Sequence, residues 1–469
     1  MQSITQFEEY LETVRGDIQH LVPQAAAVLK AQPETKPFLE STDHDLSQAL
    51  DAFERELVHT VLRRALLSDV ELELIFTSLR KAYLHSTEDL TEHNALMASM
   101  AAQCFNNDYV WTETPEEKQT TERLATRAAL SESDILKLAM YAPLTRLNME
   151  QLGSHLESSD PEFRYVISKQ LREPLLEQEL QGSIPSLGKT INPTSIKVAA
   201  QYHERPYPRW FSIPRQTTET LTERLSAWCP EAFCSLSSDI LVAGCGTGQH
   251  PIHLASTFSQ SQVTGLDLSL PSLAYAKRRA KDFGLSNIDF QQGDLLNLKS
   301  HRPWQEKFGF VDSVGVIHHL SNPSDGCRAL THVLAPGGLT RIGLYSTRAR
   351  RETGILKARE SLDGTESLRE ARKKLLHSEL SRFLDLFTLN GFRDLIFPAQ
   401  ETSYTLPEAV EMLQKGGLRA VGLQLPRAVK AQFLKEFSSS LTDWEAWDAY
   451  EERFPTTFAG MFNLLAVAL

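Results

Sequence analysis

Residues 239–269 read DILVAGCGTGQHPIHLASTFSQSQVTGLDLS. The stretch opens with a continuous apolar run at 240–243, which is typical of a strand buried on both faces. Three closely spaced glycines follow at 244–248, where the absence of side chains lets backbone N–H groups approach a ligand, and a helical segment begins directly afterwards. A second apolar run ends in Asp267. This order predicts a βαβ unit with a ligand-binding loop.

The class of ligand follows from Asp267 and from the spacing of the glycines. A carboxylate at the tip of the second strand of a βαβ unit is placed to accept hydrogen bonds from both hydroxyls of a ribose. The dinucleotide fingerprint G-x-G-x-x-G would need glycine at position 249, where this chain has Gln249. The third glycine, Gly248, comes one residue early. The stretch therefore predicts a nucleoside site that differs from a dinucleotide site.

Further segments follow this unit in an order that matches a known family. They are a Gly-Asp pair after a third strand-like run (291–294), a fourth run ending in two histidines (311–320), and a Pro-Gly-Gly turn into a fifth (334–339). With the G-x-G-x-G loop and Asp267, they resemble the class I S-adenosylmethionine (SAM) dependent methyltransferases. The resemblance implies an α/β fold, a Rossmann-like seven-stranded methyltransferase sheet whose last strand, here 461–469, is antiparallel. It also implies SAM as the cofactor.

The resemblance further implies which residues contact SAM. The loop glycines would meet the methionine part, Asp267 the ribose and Asp294 the amino group of adenine. The full set of expected cofactor contacts is Tyr202, Arg209, Gly244, Cys245, Gly246, Gly248, Gln249, Asp267, Leu268, Asp294 and Leu295. One position departs from the family, because the acidic residue that usually stands two positions before the first glycine is Val242 here. This departure favours another anchor near the methionine end, such as Arg209 or Gln249.

A segment rich in proline and aromatic residues, 201–210, precedes the sheet region. It resembles a segment found just before the catalytic domain in a bacterial group of methyltransferases with helical N-terminal extensions, and stretches 103–110 and 454–461 are similar to that group as well. Aromatic faces stabilise a sulfonium cation, and an arginine can hold a carboxylate through two parallel hydrogen bonds. Tyr202 and Arg209 are therefore candidate cofactor contacts. The alternative is a rigid connector whose aromatic side chains only pack.

Two neighbouring histidines, His318 and His319, follow the fourth strand-like run, beside the position expected for the transferable methyl group. A nitrogen or oxygen acceptor must lose its proton, and a histidine that titrates near neutral pH can accept it. Adjacent residues on a strand point in opposite directions, so at most one of the two is expected to face the acceptor. Both are candidate catalytic residues, with a structural or cofactor-contact role as the alternative. His250 and His253 stand one helical turn apart without a third ligand, so we expect no metal site there.

The chain length of 469 residues is enough for two or three domains. Apolar residues recur at helical spacing through 1–180, after which the sequence turns to Gly, Ser and Pro. We expect an all-α N-terminal domain over 1–185, a connector over 186–220 and the methyltransferase domain over 221–469. Within the last of these, helical insertions near the C-terminus are expected, chiefly at about 346–405.

The net charge of −12 is unevenly placed, since the acidic excess lies in the first 190 residues. A basic helical stretch follows the fifth strand, and we expect it to face the acidic N-terminal region or solvent. It comprises Arg348, Arg350, Arg351, Lys357, Arg359, Arg369, Arg372, Lys373 and Lys374. Few aromatic residues are interleaved with these cations and the chain as a whole is acidic, so no nucleic-acid partner is expected.

The composition also bears on the cellular compartment. Five scattered cysteines, an odd number, indicate reduced thiols. No run approaches the ~20 apolar residues of a membrane span, and the first residues are polar and acidic where a signal peptide would be basic and then apolar. We therefore expect a cytoplasmic protein without a membrane partner. The sequence leaves the oligomeric state open.

Three functions fit these observations. The first is a SAM-dependent N- or O-methyltransferase with a protein or peptide acceptor, favoured by the large helical N-terminal region that could bind a polypeptide. The second is the same enzyme type acting on a small molecule such as an amino acid or another metabolite. The third is a non-catalytic SAM-binding scaffold protein, for which Val242 is the only hint.

Overall fold

The chain forms two compact units. The computed structural model describes residues 4–14, 16–40, 45–201, 206, 208–214, 219–229, 237–351 and 365–469. The first unit comprises residues 1–176, 209–215 and 361–395, and the second comprises residues 177–208, 216–360 and 396–469. Part of the predicted insertion at about 346–405 therefore belongs to the first unit.

The first unit contains helices and no strand among its described residues. Its α-helices are Ile4–Thr13, Val22–Lys30, Lys36–Glu40, Leu46–Phe53, Glu56–Arg64, Val70–His85, Asn94–Asn106, Pro115–Ala125, Glu132–Ala139, Met149–Leu152, Pro161–Ile167, Thr365–Leu375 and Leu389–Ile396. Helix Glu173–Gln181 contains the boundary between the units. The all-α N-terminal region expected from the helical periodicity is confirmed.

The helix starts and the core of this unit follow from local sequence. The Ser131 hydroxyl accepts a hydrogen bond from the Asp134 N–H at 3.1 Å, and the Asp134 carboxylate accepts one from the Ser131 N–H at 3.0 Å. This capping box begins helix Glu132–Ala139. Helix Asn94–Asn106 is buried at every position from Leu96 to Phe105. A helix that is buried all round lies in the middle of its core.

Residues 365–395 join this unit through long-range ion pairs. The Arg372 guanidinium donates two hydrogen bonds to the Glu73 carboxylate, at 2.7 and 2.6 Å, and both side chains are buried. Arg369 donates to Glu113 at 2.9 Å. These pairs match the expectation that the basic stretch faces acidic N-terminal residues, and they explain why the segment leaves the sheet unit.

The first part of the basic stretch has different partners. Arg348 donates to Asp448 at 2.6 Å, and Arg350 donates to Glu401 at 3.2 Å, all within the second unit. The expected residues Lys357 and Arg359 lie outside the described part of the chain.

The second unit is built on one seven-stranded sheet in the order β3-β2-β1-β4-β5-β7-β6. Its strands are β1 (Ile240–Ala243), β2 (Val263–Asp267), β3 (Ile288–Gln292), β4 (Phe308–Val314), β5 (Leu334–Leu344), β6 (Leu418–Leu423) and β7 (Phe462–Ala468). Neighbouring strands from β3 to β5 are parallel, and β7 is antiparallel to β5 and β6. The predicted fold class and the antiparallel last strand are confirmed.

Helices flank the sheet and close its core. They are Pro193–Gln201, Leu221–Trp228, Gln249–Thr257, Leu270–Asp282, Pro323–Val333, Leu406–Lys415, Arg427–Phe437 and Trp444–Arg453. All four residues of β1 are buried, as expected for a central parallel strand covered on both faces. Within the described residues, no helix has the length and apolar character needed to cross a membrane.

The strand order fixes where a ligand is expected. The chain moves outward from β1 through β2 to β3, and then returns to place β4 on the other side of β1. In open α/β sheets, ligands bind at such a reversal, in the crevice outside the carboxyl ends of the strands. A ligand is therefore expected at the loops that follow β1, β2, β3 and β4.

Candidate cofactor and catalytic site

The loop after β1 depends on backbone conformations that favour glycine. Gly244, Gly246 and Gly248 have φ values of +79°, +52° and +82°. A Cβ added to Gly244 would lie 2.2 Å from a methyl group of Val316, and one added to Gly248 would lie 2.5 Å from the Ala276 Cβ. The three glycines thus form a tight turn packed against the β4 end and helix Leu270–Asp282, where the side chain of any other residue at Gly244 or Gly248 would collide with these neighbours.

The Asp267 carboxylate lies at the end of β2 and is tied to this loop. One oxygen accepts the Gly246 N–H and the other accepts the Ser269 N–H, both at 2.8 Å. Burial raises the pKa of Asp267 above its usual range, although these backbone donors oppose the shift. The arrangement fixes a carboxylate beside the glycine loop, where two oxygens can meet a pair of hydroxyls.

A second carboxylate follows β3 at the same sheet edge. Asp294 is buried and accepts the Leu296 N–H at 2.9 Å, which caps the short helix Leu295–Ser300. The Gly293 N–H donates to the Asp267 carbonyl at 2.9 Å. The ends of β2 and β3 are thus joined through their backbones, and the two predicted contact residues come to one edge.

The sequence did not reveal the segment that lies along β3. The Leu187 N–H donates to the Gln292 carbonyl at 2.8 Å, and the Gln292 N–H donates to the Pro185 carbonyl at 2.9 Å. The Leu187 side chain stands where a Cβ on Gly293 would need to be. Residues expected to be linker and connector therefore pair with the open edge of the sheet, next to Asp294. Only their Gly, Ser and Pro composition was visible in the sequence, and it carries no pairing signal.

The other predicted contacts near the loop differ in burial. The Cys245 thiol is buried, and burial together with the Asp267 carboxylate holds its pKa well above the usual range. Gln249 opens helix Gln249–Thr257, and Leu268 is half-buried directly after Asp267. Leu295 is buried in the short helix after Asp294.

The two predicted catalytic histidines lie on a short 3-10 helix, Ile317–His319, rather than on β4. The expected alternation of their side chains was wrong for this reason, since neighbours on a helical turn do not point in opposite directions. The two rings lie 4.3 Å apart between centroids, and the buried His318 ring lies 4.4 Å from that of Tyr345. His319 Nδ1 lies 2.5 Å from the Gln400 carbonyl oxygen.

Residues 240–338 match a protein-family model described as a methyltransferase domain. The chain contains a class I SAM-dependent methyltransferase domain. Its cofactor is SAM.

Individual relatives match parts of the chain, and the two that are named as enzymes differ in the reaction that their names give. An uncharacterized protein of Synechococcus sp. is 39% identical over 114 residues, which are 24% of this chain and 27% of that protein. A probable (S)-tetrahydroprotoberberine N-methyltransferase 2 of Papaver bracteatum is 21% identical over 213 residues, 44% of this chain and 55% of that protein. A malonyl-acyl-carrier protein O-methyltransferase of Halalkalibacterium halodurans is 25% identical over 135 residues, 26% of this chain and 49% of that protein. The chain thus spans between about a quarter and half of these relatives.

The residues at the sheet edge of the methyltransferase domain fit SAM. The glycine turn follows β1 at the carboxyl edge of the sheet, and its close packing against Val316 and Ala276 holds it in one conformation. Asp267 and Asp294 supply acceptor oxygens at the ends of adjacent strands, which suits ribose hydroxyls and an adenine amino group. The glycine turn, Asp267 and Asp294 are therefore the residues that would bind SAM.

The connector ahead of the methyltransferase domain contacts the glycine turn through Pro208. The Thr247 hydroxyl donates to the Pro208 carbonyl, both within the second unit. The next residue, Arg209, belongs to the first unit, where its guanidinium lies 4.1 Å from the Phe105 ring and 4.0 Å from Asp108. A cofactor contact by Arg209 stays a prediction. Tyr202 lies outside the described residues.

The side chains of His, Cys, Asp and Glu are the ones that could bind a metal ion. Among the described residues, no group of three or more His, Cys, Asp or Glu side chains is arranged to hold a metal ion. Cys104, Cys229, Cys245 and Cys327 are buried and unbridged, and Cys234 lies outside the described part.

Proposed function

We propose that this protein is an enzyme that transfers a methyl group from SAM to a nitrogen or oxygen acceptor. We further propose a protein or peptide side chain as the acceptor class. The observation that carries the first proposal is the Asp267 carboxylate, held 2.8 Å from the Gly246 N–H at the carboxyl edge of a seven-stranded methyltransferase sheet.

The residues of the chain have defined tasks in such a reaction. When bound, SAM supplies a methyl group that is already activated on a positively charged sulfur. The glycine turn, Asp267 and Asp294 would orient the cofactor, and orientation with exclusion of water can supply much of the rate. His318 or His319 would take the proton that a nitrogen or oxygen acceptor must lose. If His318 is the base, its contact with the Tyr345 ring would hold its imidazole in place.

The acceptor class rests on the helical first unit. We infer that this large helical unit binds the polypeptide that carries the acceptor side chain. A small molecule remains the second candidate, because the relatives include a probable (S)-tetrahydroprotoberberine N-methyltransferase 2, whose name gives a small molecule as its acceptor. Transfer of labelled methyl groups decides between them: incorporation into peptides supports the first, and turnover of free amino acids or phenols alone supports the second. SAM binding without transfer to any acceptor supports the scaffold alternative.

The experiment that tests the cofactor site is calorimetric titration of Asp267→Ala with SAM. We expect the dissociation constant to rise tenfold or more, because the change removes roughly 1.4 kcal/mol or more of charge-assisted hydrogen bonding to the ribose. The wild-type protein should bind SAM and S-adenosylhomocysteine but not NAD.

Asp289→Ala is the matched control. Asp289 is an exposed carboxylate on β3 that accepts a hydrogen bond from Gln262 at 2.9 Å. Its removal should leave SAM affinity unchanged. Equal affinities of the Asp267→Ala and wild-type proteins would show that the nucleoside site lies elsewhere.

A further inference from the structure

A buried charged network lies next to the glycine turn. Asp312 on β4 is 1% exposed, and one of its oxygens lies 2.6 Å from Nε2 of His250. Arg341 on β5 donates from Nε to the other oxygen at 3.0 Å, and its Nη2 reaches the first. Gln424 accepts a further hydrogen bond from Arg341 at 2.6 Å. The arginine is thus fixed from two sides, and it fixes the carboxylate in turn.

The position of this carboxylate relates to the departure at Val242. Asp312 is the register partner of Val242 in the parallel pair of β1 and β4. Register partners on neighbouring strands project from the same face of a sheet. The Asp312 carboxylate therefore stands one strand away from the place where the family usually has its acidic residue, on the same face.

The protonation of the network sets what His250 can offer. Burial alone would raise the pKa of Asp312, but Arg341 and His250 outweigh it and lower the pKa to about 2. The Nε2 of His250 has two polar neighbours, the Asp312 oxygen at 2.6 Å and Nη2 of Arg341 at 2.9 Å. An ionised carboxylate only accepts hydrogen bonds, and Nη2 of Arg341 already donates to the same oxygen, so the shorter contact assigns the proton to Nε2 of His250. In the neutral imidazole, Nδ1 is then an acceptor.

His250 is placed to present this acceptor beside the cofactor. It is the second residue of helix Gln249–Thr257, which begins at the glycine turn. Side chains in a helix lean toward its N-terminus, so that of His250 leans toward the turn. The side chain is 40% exposed, although its partner Asp312 is buried. One edge of the ring is thus anchored, while part of the side chain remains accessible.

We propose that His250, positioned by Asp312, accepts a hydrogen bond from the α-ammonium group of the cofactor's methionine part. The pair replaces the acidic anchor that is missing at Val242. His250 is the binding residue, and Asp312 is a positioning residue that fixes the tautomer and orientation of the ring. The inference rests on the proposed SAM site.

The test compares two ligands in wild-type protein and His250→Ala. S-adenosylhomocysteine carries the amino-acid part, whereas 5′-methylthioadenosine keeps the nucleoside and lacks it. We expect His250→Ala to lower the affinity for S-adenosylhomocysteine about tenfold, because a hydrogen bond to a charged group is lost. The affinity for 5′-methylthioadenosine should change by less than about twofold. Asp312→Asn should likewise lower the affinity for S-adenosylhomocysteine more than that for 5′-methylthioadenosine. His253→Ala, one turn further along the same helix, is the matched control and should change neither affinity.

The outcomes separate this inference from the proposed function. If wild-type protein binds neither ligand, the SAM site itself is refuted. If it binds both and His250→Ala weakens both equally, His250 acts only through the structure of the turn and the inference is overturned. Unchanged affinities in His250→Ala overturn it as well. Because His250 is partly exposed, its truncation leaves the buried Asp312 and Arg341 pair intact, so the test does not depend on the folding of Asp312→Asn.

Discussion

Replacing Gly244 with alanine is expected to destabilise the second unit by about 2 to 5 kcal/mol and to lower SAM affinity more than tenfold. The new Cβ would lie 2.2 and 2.9 Å from the two methyl groups of Val316. Overpacking of this kind costs about 1 to 3 kcal/mol, and the φ of +79° adds roughly 1 to 2 kcal/mol for a residue with a side chain. Urea unfolding and calorimetric titration with SAM measure the two effects.

Gly284→Ala separates conformation from crowding. Gly284 has a φ of +66°, but nothing lies within 4 Å of an added Cβ. Its replacement should cost only the conformational part and should leave SAM affinity unchanged. In the Gly244→Ala background, Val316→Ala should recover part of the loss, because it removes the two methyl groups in the way. If Gly244→Ala lowers the free energy of unfolding by no more than Gly284→Ala does, the close contact between the turn and Val316 does not exist in solution.

The sheet and the cofactor edge were predictable because their signals are local. Residues 240–243 form a continuous apolar run, and such a run indicates a buried parallel strand whatever lies elsewhere in the chain. The glycines are needed for positive φ values, which is a property of the residue itself. The fixed spacing from β1 to Asp267 then places a carboxylate at the next strand end.

Features that depend on distant partners were not predictable. Residues 185–187 pair with β3 more than a hundred positions away, and their composition gave no sign of it. Asp312, His250 and Arg341 come from three separate elements, so no periodicity relates them. The histidines at the β4 end were found from the motif, but their helical turn was not, because three residues are too few for a pattern.

The ion pairs of residues 365–395 were also only partly predictable from the sequence. The uneven distribution of acidic and basic residues indicated which regions attract each other, but it did not indicate which cation finds a buried partner. Arg372 and Glu73, 299 positions apart, are both almost fully buried and form a two-bond pair. Arg372 also donates to the Leu386 carbonyl, so it joins helix Val70–His85 to two parts of the segment.

Glu73→Gln is therefore expected to destabilise the first unit by about 3 to 5 kcal/mol, because it leaves the Arg372 guanidinium buried without its counter-charge. Glu157→Gln is the control within the same unit, since Glu157 is 89% exposed opposite Arg172 and its loss should change stability by less than about 0.5 kcal/mol. Urea unfolding gives the free energies, and limited trypsin digestion should show faster cleavage within 365–395 in Glu73→Gln.

Replacing both partners by apolar residues, Glu73→Leu with Arg372→Met, should restore most of the stability, because the cost lies in the unpaired charge rather than in the lost attraction. If the double variant is as unstable as Glu73→Gln, the segment is held by the specific geometry of the ion pair, and burial of a lone charge is not the cause.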